Sequence, residues 1–333
     1  MAGGVTIRDV ALAAQVSVAT VSRALNGQAN VTDEVRKRVL AAAQQLRYTP
    51  HAAARSLSSR RTHAIGVVLP DLYGEFFSEL VRGIDQVARE HGLHLLVSSY
   101  HGHREEQGDA MRAMRGRVDG LLLMSPYAAA DGMAAESLAP GLPTVLINSQ
   151  DAGEGSLALG VANYEGARAM VAHLFSNGHR RIAFIAGPED NFDAYQRRSG
   201  YRDALAELLP DADEWVLPGS FDEASGNQAG LELLASPKRP DAVFAANDMM
   251  ALGCLFAFTQ AGLRVPHDIA IAGFDDIPLA RFVHPGLTTM RVDIFGLGAS
   301  AARMLLARLA GTEPPHSQPL VPQLVVRQST IQT

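Results

Sequence analysis

Cysteine is almost absent from this sequence, with Cys254 the single example among 333 residues. A lone cysteine excludes an internal disulfide, and cysteine-poor chains are typical of reducing compartments. The sequence also contains no apolar run long enough to span a bilayer, and its start lacks the charged and apolar segments of a secretory signal. We therefore expect a cytoplasmic protein without a membrane partner, and the length predicts two or three structural units.

Sequence motifs of catalysis are missing as well. No G-x-G-x-x-G follows a predicted strand, and neither a G-x-x-x-x-G-K-[ST] loop nor a G-x-S-x-G elbow occurs. The histidine cluster His91, His94, His101 and His103 surrounds a predicted strand and its following loop instead of one helix face. Solvated or hydrogen-bonded roles are therefore favoured over a metal site. We expect no enzyme activity, no catalytic residue, no cofactor and no metal.

Positive charge is scarce except near the start of the chain. The net charge is −6, yet residues 1–61 contain nine Lys and Arg against three Asp and Glu, so the remaining residues carry the whole negative excess. A basic head on an acidic body is expected when only the head meets a polyanion. Repulsion between the acidic body and a nucleic acid then confines the contact to the head.

The basic region begins with a predicted pair of short helices between Thr6 and Asn26. Thr6 is a predicted N-cap with Asp9 placed to complete a capping box, and Ser17 is the predicted cap of the second helix. Apolar residues recur at helical spacing on one face of each helix. The other face of the second helix carries short hydroxyl side chains, which let a backbone approach DNA phosphates closely, and Arg23 adds charge.

A third helix is predicted from about Thr32 to Leu46. Thr32 is its expected cap, and apolar residues at helical spacing form its inward stripe. The basic run Arg36-Lys37-Arg38 is expected on a solvated face and not as a specific reader of bases.

Two interpretations of the segment HAAARSLSSRR, which follows Pro50, stay open. So short a helix is marginal in isolation, which favours a flexible linker. The alternative is a hinge that folds only against DNA and a second copy of itself. In that case Leu57 is an apolar wedge for the minor groove, and Arg55 contacts the backbone or the bases.

Three segments carry a family resemblance: TIRDVALAAQVSVATVSRALNG, VT-x-x-V-x-x-x-V and YTPHAAARSL. They resemble the head and hinge of the LacI/GalR (lactose-repressor) family of bacterial transcription regulators. The resemblance places Val18 and Ala19 at base-reading positions, where apolar side chains touch thymine methyl groups or leave room. It matches Leu57 to the family's intercalating leucine, whereas His51 replaces the usual asparagine, which we expect to alter only a local cap or contact. The residues expected to contact DNA are Thr6, Ser17, Val18, Ala19, Thr20, Ser22, Arg23, Asn26, Arg55 and Leu57.

Strands and helices alternate from Ala64 onwards. Continuous apolar runs such as Ile65–Leu69 are typical of buried parallel strands, and amphipathic segments such as Phe76–His91 separate them. Such alternation predicts an α/β fold with parallel sheets covered on both faces. The further predicted strands are Leu93–Val97, Leu121–Met124, Val145–Ile147, Ile182–Ala186, Ala242–Ala246 and Ile269–Gly273. The further predicted helices are Glu165–Phe175, Tyr195–Leu208 and Met249–Ala261.

The number of strands predicts two similar halves, and the family likeness covers essentially the whole chain. It implies a periplasmic-binding-protein-like body of two subdomains with a ligand cleft between them, and three crossings near residues 162, 290 and 321. The expected domains are a helix-turn-helix head at 1–49, a hinge at 50–62 and an effector-binding and dimerisation body at 63–333. The body divides into an N-subdomain of about 63–161 and 291–320 and a C-subdomain of about 162–290 and 321–333.

Polar and aromatic residues follow the predicted strands, where ligands bind in folds of this class. Carboxylates, amides, a guanidinium and aromatic rings suit a polyol. The motifs AGPEDNFDAYQRRSGYRDAL, FAANDMMALG and IAGFDDIPLA resemble the family's effector-pocket segments. By that likeness Arg197, Asn247 and Asp275 lie in the pocket, with Phe221 as a stacking ring. For Asp248 and Asp276 the alternative to the pocket is that they cap helices or pair locally, and Arg198 is expected on the surface. The residues expected to contact the effector are Asp71, Phe76, Phe77, Asn148, Asp193, Arg197, Phe221, Asn247 and Asp275.

These features predict a ligand-responsive regulator that represses carbohydrate-utilisation genes. Its expected partners are double-stranded pseudo-palindromic operator DNA, a second copy of the chain and a small-molecule effector, which the pocket chemistry favours as a sugar or sugar derivative. Arg197 equally suits a carboxylate or a phosphate, and a purine stays open. The competing classes are an exported-type solute-binding module and a doubly wound enzyme without a DNA role.

Overall fold

The computed structural model describes residues 5–25, 30–48, 61–127, 142–149, 157–315 and 318–331. The chain divides into two compact units, Met1–His63 and Ala64–Thr333. Three residues of the predicted DNA contact, Asn26, Arg55 and Leu57, lie outside the described residues, as does the hinge from residue 50 to residue 60.

Three helices form the described part of the first unit: α1 (Ile7–Ala13), α2 (Val18–Leu25) and α3 (Asp33–Gln45). The two predicted caps are present. The amide and the hydroxyl of Thr6 both donate to Asp9 Oδ2 at 2.8 Å, which lowers the pKa of Asp9. Ser17 Oγ accepts from the Thr20 amide at 3.1 Å. These bonds satisfy amides that the first turn of a helix leaves without partners.

Small apolar side chains form the core of the first unit. The faces predicted from helical spacing are confirmed, because the buried residues of all three helices meet in one cluster. The members of this cluster are Val10, Ala11, Ala14, Val21, Ala24, Val31, Val39, Ala42 and Ala43.

One expectation for α3 is wrong, and a second is incomplete, because Lys37 and Arg38 are exposed as predicted but two of the three basic residues also bond to other helices. Thr32 occupies the cap position, but its hydroxyl makes no cap hydrogen bond. The basic run is not merely solvated: Arg36 Nη1 donates to the Ala24 carbonyl at 3.2 Å, and Arg38 Nε donates to the Ala14 carbonyl at 2.9 Å. Both carbonyls belong to helix ends that lack intrahelical partners, so these two arginines tie α3 to the ends of α1 and α2.

The second unit contains two sheets. The strands of the first sheet are β1 (Ala64–Leu69), β2 (His94–Ser99), β3 (Gly120–Met124), β4 (Thr144–Ile147) and β5 (Leu157–Leu159). Those of the second are β6 (Ile182–Ile185), β7 (Trp215–Leu217), β8 (Ala242–Ala245), β9 (Ala270–Asp275), β10 (Thr288–Arg291) and β11 (Gln323–Val325). In the first sheet, the strand order is β2-β1-β3-β4-β5 and every pairing is parallel. In the second, the order is β11-β10-β9-β8-β6-β7, and only β11 pairs antiparallel.

Helices cover these sheets. The closest helix pair uses reciprocal glycines: a Cβ on Gly83 would lie 2.1 Å from the Phe295 carbonyl oxygen, and one on Gly298 would lie 2.2 Å from that of Leu80. Backbones approach closely only where such side chains are missing. The helices are α4 (Glu75–Glu90), α5 (Arg104–Met114), α6 (Asn163–Ser176), α7 (Phe192–Leu208), α8 (Glu223–Ala235), α9 (Asp248–Gln260) and α10 (Ile294–Ala310), with a short 3₁₀ helix at Pro278–Arg281.

The described chain passes between the two sheets more than once. It leaves the first sheet after β5 and enters the second through α6. It leaves the second sheet after β10 for α10, which packs on α4, and re-enters it at β11. Segments distant in sequence therefore build each half of this unit.

The predicted α/β alternation and the two parallel sheets are confirmed. Some boundaries are wrong. The strand predicted to end before Asp275 includes it, because the pairing with β10 continues to Asp275 opposite Arg291. The helix predicted from Tyr195 begins at Phe192, because Asn191 Oδ1 accepts from the Ala194 amide at 3.0 Å and caps it earlier. Among the described residues, no helix combines the length and the apolar character needed to cross a membrane.

Candidate functional sites

A cavity of about 160 Å³ lies at the carboxyl ends of strands from both sheets. Residues that follow β1 and β3 form one wall, and residues that follow β6, β7, β8 and β9 form the other. Carboxyl ends of parallel strands are the usual place for ligands in such folds. We call this cavity the cleft.

Arg197 is the one basic residue of the cleft lining within the described residues. It lies on α7 and is almost fully buried. Its Nε donates to Asn163 Oδ1 at 2.8 Å, its Nη1 donates to the Ala246 carbonyl at 2.6 Å, and its Nη2 lies 3.1 Å from Asp275 Oδ1. The guanidinium carbon also sits 3.9 Å from the centre of the Phe274 ring. This set of contacts holds the side chain in one orientation.

Asp193, one turn before Arg197, accepts two amide hydrogen bonds. Asn163 Nδ2 donates to its Oδ1 and Asn148 Nδ2 donates to its Oδ2, both at 2.8 Å. Burial raises the pKa of Asp193, against the opposing effects of Arg197 and the two amides. Asn148 itself follows β4 and has a positive φ of 48°. The contact therefore joins the first sheet to the helix that carries Arg197.

Asp275 ends β9 and faces the cleft. Burial raises its pKa to about 6, although Arg197 opposes the shift. Its Oδ1 forms an ion pair with Arg197 Nη2, and within the described residues no donor meets hydrogen-bond geometry to this buried oxygen. Asp275 also adopts a φ of 110°, a strained backbone of the kind found at functional sites. Asp275 is therefore a buried carboxylate at the edge of the cavity, paired in charge with Arg197.

An aromatic ring and an amide complete this wall. Asn247 caps α9 by accepting from the Met250 amide at 3.0 Å, and its Nδ2 donates to the Phe221 carbonyl at 2.9 Å. The Phe221 ring lies against Gly187, where a Cβ would approach it to 2.4 Å. Phe221 thus depends on a glycine to reach its place in the cleft.

The opposite wall is aromatic and more open. Tyr73, Phe76 and Phe77 come from the loop and helix after β1, and Tyr127 follows β3. The rings of Phe76 and Phe77 meet edge to face, with centroids 5.5 Å apart. Asp71 accepts from the amides of Leu72 and Tyr73 and so shapes its own loop. This wall offers ring faces where the other offers charges.

Direct bonds bridge the two walls at the mouth of the cleft. The Tyr73 hydroxyl donates to Glu223 Oε2 at 2.8 Å, and the Leu279 amide donates to Glu75 Oε2 at 2.8 Å. Deeper in, the Phe192 amide donates to the Pro126 carbonyl at 2.7 Å. Both halves therefore already contact each other around the cavity.

Sequence reasoning named most of this lining. Asp71, Phe76, Phe77, Asp193, Arg197, Phe221, Asn247 and Asp275 all line the cleft. Asn148 does not, and reaches it only through Asp193. The polar or aromatic lining residues that it missed are Tyr73, Tyr127, Asn191, Ser220 and Asp222. These residues lie in loops without periodicity, and only the N-cap preference of Asn191 and Asp222 offered a signal.

Three further polar residues, Asp248, Asp276 and Arg198, do not line the cleft and bond to neighbouring residues instead. Asp248 is buried, accepts from Thr289 Oγ1 at 2.6 Å and from the Ile277 amide at 2.9 Å, and has a pKa that burial raises well above its usual range. Asp276 pairs with Arg291 and Arg327, each at 2.6 Å. Arg198 is about half exposed and lies 3.5 Å from Glu214.

The predicted DNA-contacting residues of the first unit are accessible to different degrees. Thr6, Ser17, Val18 and Ala19 are exposed, whereas Thr20, Ser22 and Arg23 are half-buried. Arg23 Nε donates to the Ala19 carbonyl at 3.2 Å, so this side chain lies along its own helix. We call the start of α2, from Ser17 to Arg23, the α2 face. Apart from Val18 and Ala19, its residues that are not buried are polar, and it has a helix N-terminus, which suits phosphate contact.

Comparison with known proteins defines the class. Residues 6–51 match the model of the bacterial regulatory proteins of the lacI family, and residues 171–330 match that of a periplasmic-binding-protein-like domain. This chain belongs to the LacI family of bacterial regulatory proteins.

Individual relatives cover nearly its full length. It is 35% identical to the catabolite control protein A of Priestia megaterium (90% of this chain, 91% of the relative). It is 38% identical to the HTH-type transcriptional regulator GalS of Salmonella typhimurium (92% and 91%), and 37% identical to the ribose operon repressor of Escherichia coli (94% and 95%). By their names, GalS is a transcriptional regulator and the ribose relative is an operon repressor.

Solved structures show the same fold. A crystal structure of the lac repressor dimer bound to operator and the anti-inducer ONPF matches with a TM-score of 0.87 and 31% identity, covering 99% of this chain and 100% of that one. A complex of the transcriptional regulator CelR with cellobiose matches with a TM-score of 0.70 and 32% identity, covering 98% and 99%.

Proposed function

We propose that this chain is a repressor that binds a pseudo-palindromic operator as a homodimer, and that a small-molecule effector in the cleft changes its operator affinity. The carrying observation is the pairing of a basic unit that exposes the start of α2 with a second unit that holds a buried Arg197–Asp275 pair beside an open cavity. A solute-binding module needs only the second of these units, and an enzyme needs a nucleophile or a cofactor loop.

The relatives support the proposed partners. The lac repressor was crystallised as a dimer on its operator, and a single small head offers too few base contacts for useful affinity, so two half-sites are expected. Relatives named for ribose and for cellobiose support a carbohydrate effector and carbohydrate-utilisation genes as targets. We keep the head at 1–49, the hinge at 50–62 and the body at 63–333 as parts of this proposal.

The proposed mechanism is a linkage between two sites. An effector that touches both walls of the cleft changes the angle between the two halves of the body and hence the separation of two hinges in a dimer. Hinge folding and operator affinity follow that separation. The bonds of Tyr73 and Glu75 across the cleft support such coupling, because both belong to the segment that also lines the cavity.

The DNA contact is tested first with a charge placed on the α2 face. The operator is selected from a random duplex library with the full chain. Ala19→Asp puts a carboxylate on an exposed first-turn position, where it favours the helix but repels phosphate. We expect operator affinity to fall at least about tenfold while the thermal midpoint is kept.

The matched control is Leu12→Glu, because Leu12 is 83% exposed on α1 and lies outside the proposed contact. Unchanged operator affinity in Ala19→Asp, or an equal loss in Leu12→Glu, would refute the α2 face as the DNA contact. Leu57→Ala tests the proposed wedge: operator affinity should drop, whereas effector binding should stay.

A further inference from the structure

The charge of the cleft lining is strongly one-sided. Four carboxylates line it, from Asp71, Asp193, Asp222 and Asp275, against a single guanidinium from Arg197. No lysine, histidine or second arginine belongs to the lining within the described residues. Even with buried Asp193 protonated, negative charge exceeds positive charge around the cavity.

The charge of the one guanidinium is already balanced. Nε donates to the Asn163 amide oxygen, Nη1 donates to the Ala246 carbonyl, and Nη2 lies 3.1 Å from the Asp275 carboxylate. Nη1 and Nη2 each carry a second hydrogen that a ligand oxygen could accept. An anionic ligand bound there would place a second negative charge beside the buried Asp275 carboxylate, which is unfavourable in a site of low dielectric constant.

The charged groups of the lining are mostly hydrogen-bond acceptors. Asp275 belongs to the lining, and its Oδ1 is a buried atom to which the described residues supply no hydrogen-bond donor. Asp222 uses Oδ1 to cap α8 through the Ser225 amide at 2.7 Å, and Asp71 uses Oδ1 within its own loop. A ligand that fits this arrangement brings donors, and hydroxyl groups on a ring bring several at once. Ring faces of Phe76 and Phe221 suit its apolar side.

The size of the cavity limits the ligand to one ring. Its volume is about 160 Å³, below the roughly 300–1,000 Å³ of pockets for drug-sized molecules. The bonds from Tyr73 to Glu223 and from Leu279 to Glu75 restrict the mouth. A second sugar ring would have to break them.

We propose that the cleft takes an uncharged, hydroxyl-rich compound of a single ring, and that it rejects the phosphate ester, the uronic acid and the disaccharide built from that ring. This inference rests on the proposed function for the regulatory role of the ligand. The chemical class of the ligand is tested by binding measurements alone.

Calorimetry on the full chain tests it with matched probes. The panel contains neutral aldopentoses and aldohexoses, their terminal phosphate esters, the uronic acids and the disaccharides cellobiose, maltose and lactose. We expect a neutral monosaccharide to bind at least about a hundredfold more tightly than its ester or uronate, since the added charge meets a buried carboxylate. A tighter ester, uronate or disaccharide would overturn the proposal, and so would the absence of heat from every neutral monosaccharide.

A charge variant locates the selectivity. Asp222→Asn keeps a cap acceptor for Ser225 but removes one carboxylate from the lining. We measure the affinity for the ester by displacement of the neutral sugar. In this variant, the ratio of the ester affinity to the neutral-sugar affinity should rise about tenfold. Asp213→Asn, an exposed position outside the lining, makes the same charge change and should leave the ratio unaltered. An unaltered ratio in Asp222→Asn, or an equal gain in Asp213→Asn, would contradict the proposed electrostatic cause.

Failure of the proposed function has a different signature. If a neutral sugar binds with this selectivity but leaves operator affinity unchanged, the ligand class stands and the regulatory linkage fails. If an anion binds instead and shifts operator affinity, the linkage stands and the ligand class fails.

Discussion

The two walls of the cleft differ in polarity and in burial. On the wall from the second sheet, Asp193, Arg197 and Asp275 are buried and bonded to one another or to shared partners. On the wall from the first sheet, Tyr73, Phe76 and Phe77 are exposed or half-buried rings. Hydrogen bonds through Asn163 and the Arg197–Asp275 ion pair hold the buried side chains in place, and such networks are rigid, whereas the rings have fewer polar contacts. The contrast teaches that one wall combines stability with recognition, and the other contributes mainly recognition.

The largest effect is expected from Arg197→Ala. Its removal leaves Asp275 and Asp193 buried without a counter-charge, which costs about 3–5 kcal/mol of unfolding free energy. Urea unfolding of both variants measures the difference. The neighbouring Arg198→Ala removes an exposed pair with Glu214 and should cost less than about 1 kcal/mol. Equal losses would abolish the distinction between the two walls, because the second-sheet wall would then add no special stability.

A second effect is expected in the pH dependence. Burial raises the pKa of Asp275 from 3.8 to about 6, so between these values the folded state binds the proton and the unfolded state does not. Unfolding free energy should therefore rise as pH falls from about 6 to about 4, by about 2–3 kcal/mol for this group.

The variant Asp275→Asn isolates the contribution of Asp275. Its unfolding free energy should lack this rise between about pH 6 and about pH 4. Burial lowers the pKa of His173 and His179, and their protonation opposes the trend equally in both proteins. Parallel urea titrations across this window provide the comparison. If unfolding free energy has the same slope against pH in both proteins, the raised pKa of Asp275 and the burial that causes it would be contradicted.

A third, smaller effect should fall on affinity instead of stability. Phe76→Ala removes a half-buried ring from the first-sheet wall, and we expect about a tenfold loss of affinity for the neutral sugar found in the probe panel. Unfolding free energy should change less than in Arg197→Ala. Calorimetry and urea unfolding on the same sample separate the two quantities. A stability loss as large as that of Arg197→Ala would place Phe76 in the structural core.

The smallest effect concerns the bridge between the walls. Tyr73→Phe deletes only the hydroxyl that donates to Glu223 at 2.8 Å. One exposed hydrogen bond is worth about 0.5–1 kcal/mol, so sugar affinity should weaken about two- to fivefold. Leu72→Ala, an exposed neighbour outside the lining, serves as the control. No change in Tyr73→Phe would show that this bond does not accompany ligand binding.

Much of this protein was determined by its sequence alone. Helical spacing of Val10, Val21 and Val39 predicts the core of the first unit, because apolar burial follows periodicity directly. The run Ile65–Leu69 predicts a buried parallel strand for the same reason. Strand-end positions predict that Arg197, Asn247 and Asp275 line one site, since carboxyl ends of parallel strands converge.

Only the tertiary structure decided the partners. Arg36 and Arg38 bond to the ends of two other helices, and no local pattern shows which donor reaches which helix end. Asn148 reaches Asp193 instead of the cavity, and Tyr73 joins Glu223 across it, because two walls built from distant segments meet there. Periodicity reports which face of an element is buried. Which side chain meets which, and whether a charge such as Arg197 stays available to a ligand, depends on how the elements come together.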